Sequence, residues 1–556
     1  MTNNPRYFLW FALAVLLWIN YTTWTQDFAA LPSPAPAARA PAPPASLANT
    51  VPESQKPVPP EATSPAASPA PVLAAGTAAA PAGAPVIHVR TDVYDLQIST
   101  LGATLVKVDL LRYAKVKGQA ARVRLESAAP GEQYLLQTGL TGPAAQPHPT
   151  QAALFTAARL EYRMDGNELR VPLVWSGGGI TVTKTFVFHK GSYRIGVEYA
   201  IQNRGAVGWQ AAQYAQLFRD DPRTKGSYFH PGSTAYHGPA IWNGHEYVKL
   251  DPASADYRNF EQSVAGGWIA AAQHDFVSAV IPARRSTYRF SSHVAGSQYL
   301  LAAVGPMHSV APGADLTLTQ TLFVGPTLHA QLSKTDPTLT YLADYGKLTI
   351  LARPLFWLLL QAHRLTGNWG VAIILVTFLL KLVFYPLSEA SGRSMAKMKA
   401  LGPRIKNIQE TYKDDREKLG RAMMEIYKRE KVNPVSGCLP MILQFPVFIA
   451  FYWVLLYSVE LRQAPFMLWI QDLSSRDPYF ILPAIMAVTG LLQYKLNPAP
   501  PDPVQAKMFM IMPVAMSAMF AFFPSGLVLY YVVNSLLSIA QQWNINRRIG
   551  VTPRRA

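Results

Sequence analysis

The chain has 556 residues, with 50 lysines and arginines against 33 aspartates and glutamates, giving a formal net charge of +17 at pH 7. That length leaves room for several units, and a mean hydropathy of +0.09 is too low for a chain wholly embedded in lipid. A single cysteine, Cys438, excludes an intramolecular disulfide framework and any multi-cysteine metal site.

The positive charge is not spread as a nucleic-acid footprint would be. It concentrates in residues 393–431 and in Arg547, Arg548, Arg554 and Arg555, both beside apolar segments, so a positive-inside membrane topology accounts for it and no nucleic-acid substrate is expected.

In chain order, Arg6 precedes an apolar run over residues 7–19, followed by Asn20, Tyr21 and Trp24. A cleaved signal peptide and an uncleaved anchor with Trp18, Tyr21 and Trp24 at the far interface both fit; the anchor, residues 1–28, is preferred, and either way the following segment is exported. Residues 29–85 are mostly Ala, Pro and Ser with almost nothing to bury, which predicts a disordered linker.

From residue 86 to about 335, short runs with β-branched or aromatic residues at period two are separated by Gly, Pro and Asp, as in 181–188 (TVTKTFVF) and 193–201 (YRIGVEYAI). They predict an antiparallel β-sandwich with its own core. Its histidines, His88, His230, His237 and His274 among them, lie at no metal-ligand spacing and are expected to be ordinary surface or core residues.

Residues 336–354 contain an amphipathic stretch broken by Pro354, suited to an interface. The core, 355–545, opens with an apolar segment over 355–385, longer than the ~20 residues that a perpendicular helix needs, so it must tilt, break near Gly367-Asn368 or start outside the membrane, and Pro386 is expected to end it. Residues 387–432 repeat apolar side chains at steps of three and four, predicting a basic helical hairpin kinked at Gly402-Pro403. Four further spans are expected at about 436–459, 479–496, 508–523 and 525–543, the last two as antiparallel neighbours across the tight turn at Pro524, and residues 546–556 form a basic tail. With the basic hairpin inside, six transmembrane helices result, both termini are cytoplasmic and the sandwich is outside.

Polar residues within these spans form stripes. Thr377 and Lys381 are four apart; Tyr530, Asn534, Ser538 and Gln541 follow at steps of four, four and three; Gln444 lies between Pro440 and Pro446. An ionisable residue at membrane depth costs several kcal/mol unless it faces a polar cavity or snorkels. Three helices therefore surround a wet pocket in the cytoplasmic half, with Lys381 as its cation. Lys397, Lys399 and Arg404 on the hairpin offer a docking surface.

Four segments carry a resemblance: SMAKM (394–398), KVNPVSGCLPMILQFPVF (431–448), ELRQAPFMLWIQDLS (460–474) and FPSGLVLYYVVN (523–534). They are similar to the signature segments of the YidC family of membrane protein insertases, in its Gram-negative bacterial form. The resemblance implies a bacterial inner-membrane protein with an uncleaved first helix, a periplasmic β-supersandwich like galactose mutarotase, and a five-helix core. That core holds a hydrophilic groove open to cytoplasm and lipid. Thr377, Gln444, Tyr530 and Tyr531 would line or border it, with Asn534 and Ser538 on the same stripe. The family's groove cation is usually arginine; Lys381 keeps the charge without the planar fork, which leaves long-range attraction as its role. The implied activity is insertion, folding and assembly of integral membrane proteins, alone or with the Sec translocon. Partners are nascent membrane proteins, the ribosome and signal recognition components, and membrane lipids.

No cofactor is expected, and no nucleotide-binding G-x-x-x-x-G-K-[ST], Gly-x-Ser-x-Gly or His-Glu-x-x-His motif occurs, so the chain does not read as an enzyme. The rival readings are a polytopic secondary transporter, against which stands the lack of internal repeats in the core, and a periplasmic carbohydrate-binding membrane protein.

Overall fold

The computed structural model describes residues 47–52, 84–129, 132–220, 236–251, 254, 257, 260–343, 348–412, 415–430, 439–496 and 503–548. The N-terminal apolar run, His230 and Cys438 lie outside the described residues.

Period-two alternation builds the first half. Along the strand Arg194–Asn203 every second side chain (Ile195, Val197, Tyr199, Ile201) is buried, and Val197 stands opposite Phe186 on one neighbour and Gln320 on the other. A ten-stranded and a nine-stranded sheet stack around one core containing Leu96, Val197, Trp268, Leu301 and Phe323. The sandwich is not purely antiparallel: Val86–Arg90 pairs in parallel with Glu161–Arg163.

Two ionisable side chains are fully buried in this core. Lys184, on the inward face of Ile180–His189, donates to the carbonyls of Gly102 (3.0 Å), Ala103 (2.8 Å) and Thr138 (2.7 Å), and burial drives its pKa well below the usual lysine range. Glu126 accepts from the Ser278 hydroxyl at 2.6 Å, and burial pushes its carboxyl up to about 8.

Part of the stretch expected to be a structureless linker is folded. Leu47–Asn49 forms a 3-10 turn, and Ala48 packs against Leu135, Phe218 and Leu300 on the sandwich. Low hydrophobicity does not prevent docking when the partner surface supplies the apolar contacts and the hydrogen bonds.

The helical half follows α1, His329–Thr335, and a 3-10 turn at Pro337–Leu342. Helix α2, Thr349–Thr366, runs through Pro354 instead of breaking there. The carbonyl that the proline leaves unbonded belongs to Ile350, an exposed residue, so water can satisfy it. The long apolar segment breaks at Gly367-Asn368, one of the three expected solutions. Gly367, at φ +66°, closes α2 on the His363 carbonyl, and the Asn368 side chain caps α3, Trp369–Val383, at the Val371 N–H (3.1 Å).

Pro386 does not end the helical path. It is the second residue of α4, Tyr385–Ala400, a position that needs no backbone donor, and the chain bends there by 60°. The hairpin comprises α5, Gly402–Thr411, and α6, Arg416–Arg429, with the predicted interruption at Gly402-Pro403. Leu401 and Ile405 pack there against Met423 and Tyr427, and Asp415 caps α6, its carboxyl held below the usual range by the Lys418 N–H.

Helices α7 (Leu439–Tyr457), α8 (Ile481–Leu496), α9 (Pro503–Phe520) and α10 (Ser525–Arg548) complete the core. The last two are not neighbours along their length: α8 packs against both, and α10 also lies on α3. The short turn joins their ends, where the Phe520 and Tyr531 rings still meet at 5.7 Å, but beyond it each helix packs on α8 rather than on the other. Among the described residues no single helix is long and apolar enough to cross a membrane, whereas α3 together with residues 385–394 has the length and composition to do so as a bent pair.

Sandwich and core are joined by polar contacts at the loop after α7. Arg462 pairs with Asp275 (3.3 Å), the Gln463 amide donates to the Ala114 carbonyl (3.0 Å), and Lys117 donates to the carbonyls of Gln463 (3.1 Å) and Gln471.

Candidate functional site

Lys381 occupies the last turn of α3, flanked by the exposed apolar side chains of Leu379, Leu382 and Val383. Its ammonium turns away from them and donates to the Ser538 hydroxyl at 2.7 Å. That hydroxyl donates in turn to the Asn534 carbonyl one helical turn back (2.7 Å), while the Asn534 side-chain oxygen accepts from the Gln444 amide (2.7 Å). Three helices, α3, α7 and α10, thus contribute to one continuous polar line.

The local reasons are helical geometry. Tyr530, Asn534 and Ser538 share a face of α10 because four-residue steps return to nearly the same azimuth. Gln444 reaches that face because α7 packs beside α10, with Phe451 against the Tyr530 ring at 4.7 Å. Gln541 continues the stripe, and its side-chain nitrogen is buried with no hydrogen-bond acceptor among the described residues.

Two of the expected residues stand apart. The Thr377 hydroxyl is buried and donates to the Ile373 carbonyl of its own helix (2.6 Å), so it adds no free polar group. Tyr531 is half-buried with its ring among Phe448 (6.5 Å) and Phe520 (5.7 Å), on the apolar side of the line. On the hairpin, Lys397 is exposed, Arg404 is exposed but paired with Glu430 at 2.8 Å, and the Lys399 side chain lies outside the described residues.

Sequence reasoning missed residues that hold the site's outer end. Asp477, almost fully buried, accepts from the Leu482 N–H (2.7 Å) at the start of α8 and from the Trp469 ring (3.1 Å). Gly370 lies so close to Phe466 that an added Cβ would sit 2.0 Å from its ring. The Asp-Pro-Tyr preceding an apolar run was a readable helix-start signal for Asp477; nothing in the sequence announced the Gly370 contact.

A line of amide, hydroxyl and ammonium groups can attract an acidic flank and hydrogen-bond a polar backbone. Among the described residues no cluster of three or more His, Cys, Asp or Glu is placed to hold a metal.

The chain matches the family model of the 60Kd inner membrane protein over residues 361–552 and that of the YidC periplasmic domain over 86–358. It is 42% identical to the membrane protein insertase YidC of Nitrosococcus oceani, over 98% of this chain and 99% of that one. The chain belongs to the YidC family of membrane protein insertases. Its members share an inner-membrane helical part and a periplasmic β-sandwich, and are insertases rather than enzymes. The same-named protein of Methylobacillus flagellatus is 45% identical over 83% of this chain and 84% of its own. A solved structure of an active YidC insertase with its first transmembrane domain resolved aligns at 19% identity and a TM-score of 0.37, covering 83% of this chain and 94% of that one.

Proposed function

We propose that this chain inserts and folds integral membrane proteins by offering an incoming segment a polar line at membrane depth. The observation that carries this reading is the hydrogen-bonded series Lys381, Ser538, Asn534 and Gln444 across three helices. A hydrophobic segment with a short polar flank must move that flank through hydrocarbon, where each uncompensated backbone group costs several kcal/mol. Amides, hydroxyls and one cation shorten the dry distance, and partitioning of the apolar segment into lipid supplies the drive.

In this reading six helices cross the inner membrane, with the N-terminal run as the first and both termini cytoplasmic. The hairpin faces the cytoplasm and docks ribosome, signal recognition components or lipid head groups through Lys397, Lys399 and Arg404. The chain works alone or with the Sec translocon. Support for the hairpin's role is its charge and the exposure of Lys397 and Arg404.

The test is insertion of a matched substrate pair, one translocated Asp against Asn, into liposomes holding equal folded amounts of each variant. Lys381→Arg should retain activity. Lys381→Glu should lower insertion of the Asp substrate about tenfold, equivalent to ~1.4 kcal/mol, and Lys381→Leu should fall between. Equal losses for both substrates would reject the groove-charge role.

A further inference from the structure

The outward positions of a β-sandwich ordinarily face solvent and are polar. The strand Tyr134–Thr141 departs from this, being buried at all eight residues. Leu136 and Leu140 point into the core between the sheets, so the opposite set, Leu135, Gln137 and Thr141, is covered by something else. Part of that cover is the linker segment 47–52.

We propose that this outer face is a binding site for a short peptide carrying a tight turn, read through its backbone, and that residues 47–52, with their 3-10 turn at Leu47–Asn49, are its resident occupant. Gln137 donates to the Ala48 carbonyl (3.1 Å), Gln151 (2.9 Å) and Gln216 (3.1 Å) both donate to the Thr50 carbonyl, and the Thr141 hydroxyl donates to the Pro52 carbonyl (3.2 Å). The acceptors belong to residues 48, 50 and 52, presented to the sheet by the 3-10 turn Leu47–Asn49, which the Thr50 N–H closes on the Leu47 carbonyl (3.0 Å), and by the residues after it. Gln216 is fully buried and also donates to the Gln137 side chain at 2.5 Å, so these amides are oriented by each other as well as by the peptide. A buried amide facing an apolar pocket without an acceptor is costly, which makes the row a built site rather than incidental cover.

The same geometry defines the ligand class. Recognition falls on carbonyls and on two side chains, the small Ala48 buried with Leu135, Phe218 and Leu300 and the half-buried Leu47 packed against them. Sequences rich in alanine and proline suit it, since alanine fits the Ala48 pocket and proline keeps the carbonyl through which the sheet's side chains bind. Because the occupant belongs to the chain itself, the site is closed in cis, and an added peptide of the same kind enters only when residues 47–52 leave. Occupation divides the linker into residues 29–46 and 53–85.

The probe is a fluorescent synthetic peptide of residues 45–54 (ASLANTVPES), added to the full-length protein in detergent. Ala48→Asp in the chain ejects the occupant without touching the sheet. That variant should bind the peptide saturably, at least tenfold more tightly than the parent. Adding Gln216→Leu, or the nearly isosteric Thr141→Val where the first impairs folding, should weaken binding severalfold. In the parent, the backbone amides of 48–51 should exchange hydrogen at least tenfold more slowly than in Ala48→Asp. Equal peptide binding by parent and Ala48→Asp, binding indifferent to both sheet variants, or equal exchange rates would overturn the proposal.

Discussion

Lys184 and Lys381 are both lysines in largely apolar surroundings, one in the sandwich and one in the helical core, and their partners differ. Lys184 is fully buried and has three carbonyl acceptors, matching the three N–H donors of an ammonium, so nothing is left over for a ligand. Lys381 is half-buried and, among the described residues, has one hydrogen-bond partner, the Ser538 hydroxyl, in a line that continues through amides. A cation whose donors are all matched is a staple between strands. A cation with donors to spare, placed among groups able to exchange partners, is available to something that arrives. The completeness of hydrogen bonding, rather than depth of burial, separates the two roles.

The sharpest way to break this contrast is Lys184→Leu. It strands three buried carbonyls and should destabilise the sandwich by about 3–5 kcal/mol, read as a fall in the guanidinium midpoint of its tryptophan fluorescence. Parental stability would show that the ammonium is not needed. The next largest effect concerns the other buried ionisable group. The Glu126 pKa is raised to about 8 in the folded protein, so the folded state holds a proton that the unfolded state has released between the ordinary glutamate pKa and about 8. Stability should therefore fall as pH rises through that window, by up to about 1.4 kcal/mol per unit, and Glu126→Gln should remove the slope. Lys184, with its lowered pKa, adds the opposite trend towards the ordinary lysine range, and the difference between parent and Glu126→Gln curves isolates the glutamate. A smaller effect is expected for Asn534→Leu, which leaves the Gln444 amide without its acceptor and should cost about 1–2 kcal/mol of thermal stability while lowering insertion of both members of the Asp/Asn pair. The smallest is Lys381→Leu, expected to change stability by less than about 1 kcal/mol despite its effect on the Asp substrate. A stability loss comparable to that of Lys184→Leu would make the two lysines alike.

The sequence foretold the helical cation better than the buried one. Lys381 stood out because it interrupts an apolar run, where one residue type is a signal by itself. Lys184 was hidden in TVTKTFVF, although its position held the clue: it is in step with Val182, Phe186 and Phe188, the inward set. Alternation announced the strands, and Gly367-Asn368 announced the break between α2 and α3. The bend at Pro386 and the separation of α9 from α10 were not legible, because they depend on which neighbour each helix packs against. The seated segment at Ala48 was also hidden. Its own composition is that of a linker, and the glutamines that hold it come from strands and a loop far apart in sequence.

The polar seam of Arg462, Gln463 and Lys117 has a practical side. A small helical protein sunk in a detergent micelle offers little outline by which particle images can be aligned. Here the chain carries its own fiducial, stacked sheets hydrogen-bonded to the loop after α7, which gives each particle an outline beyond the micelle when the helices are imaged with a bound substrate.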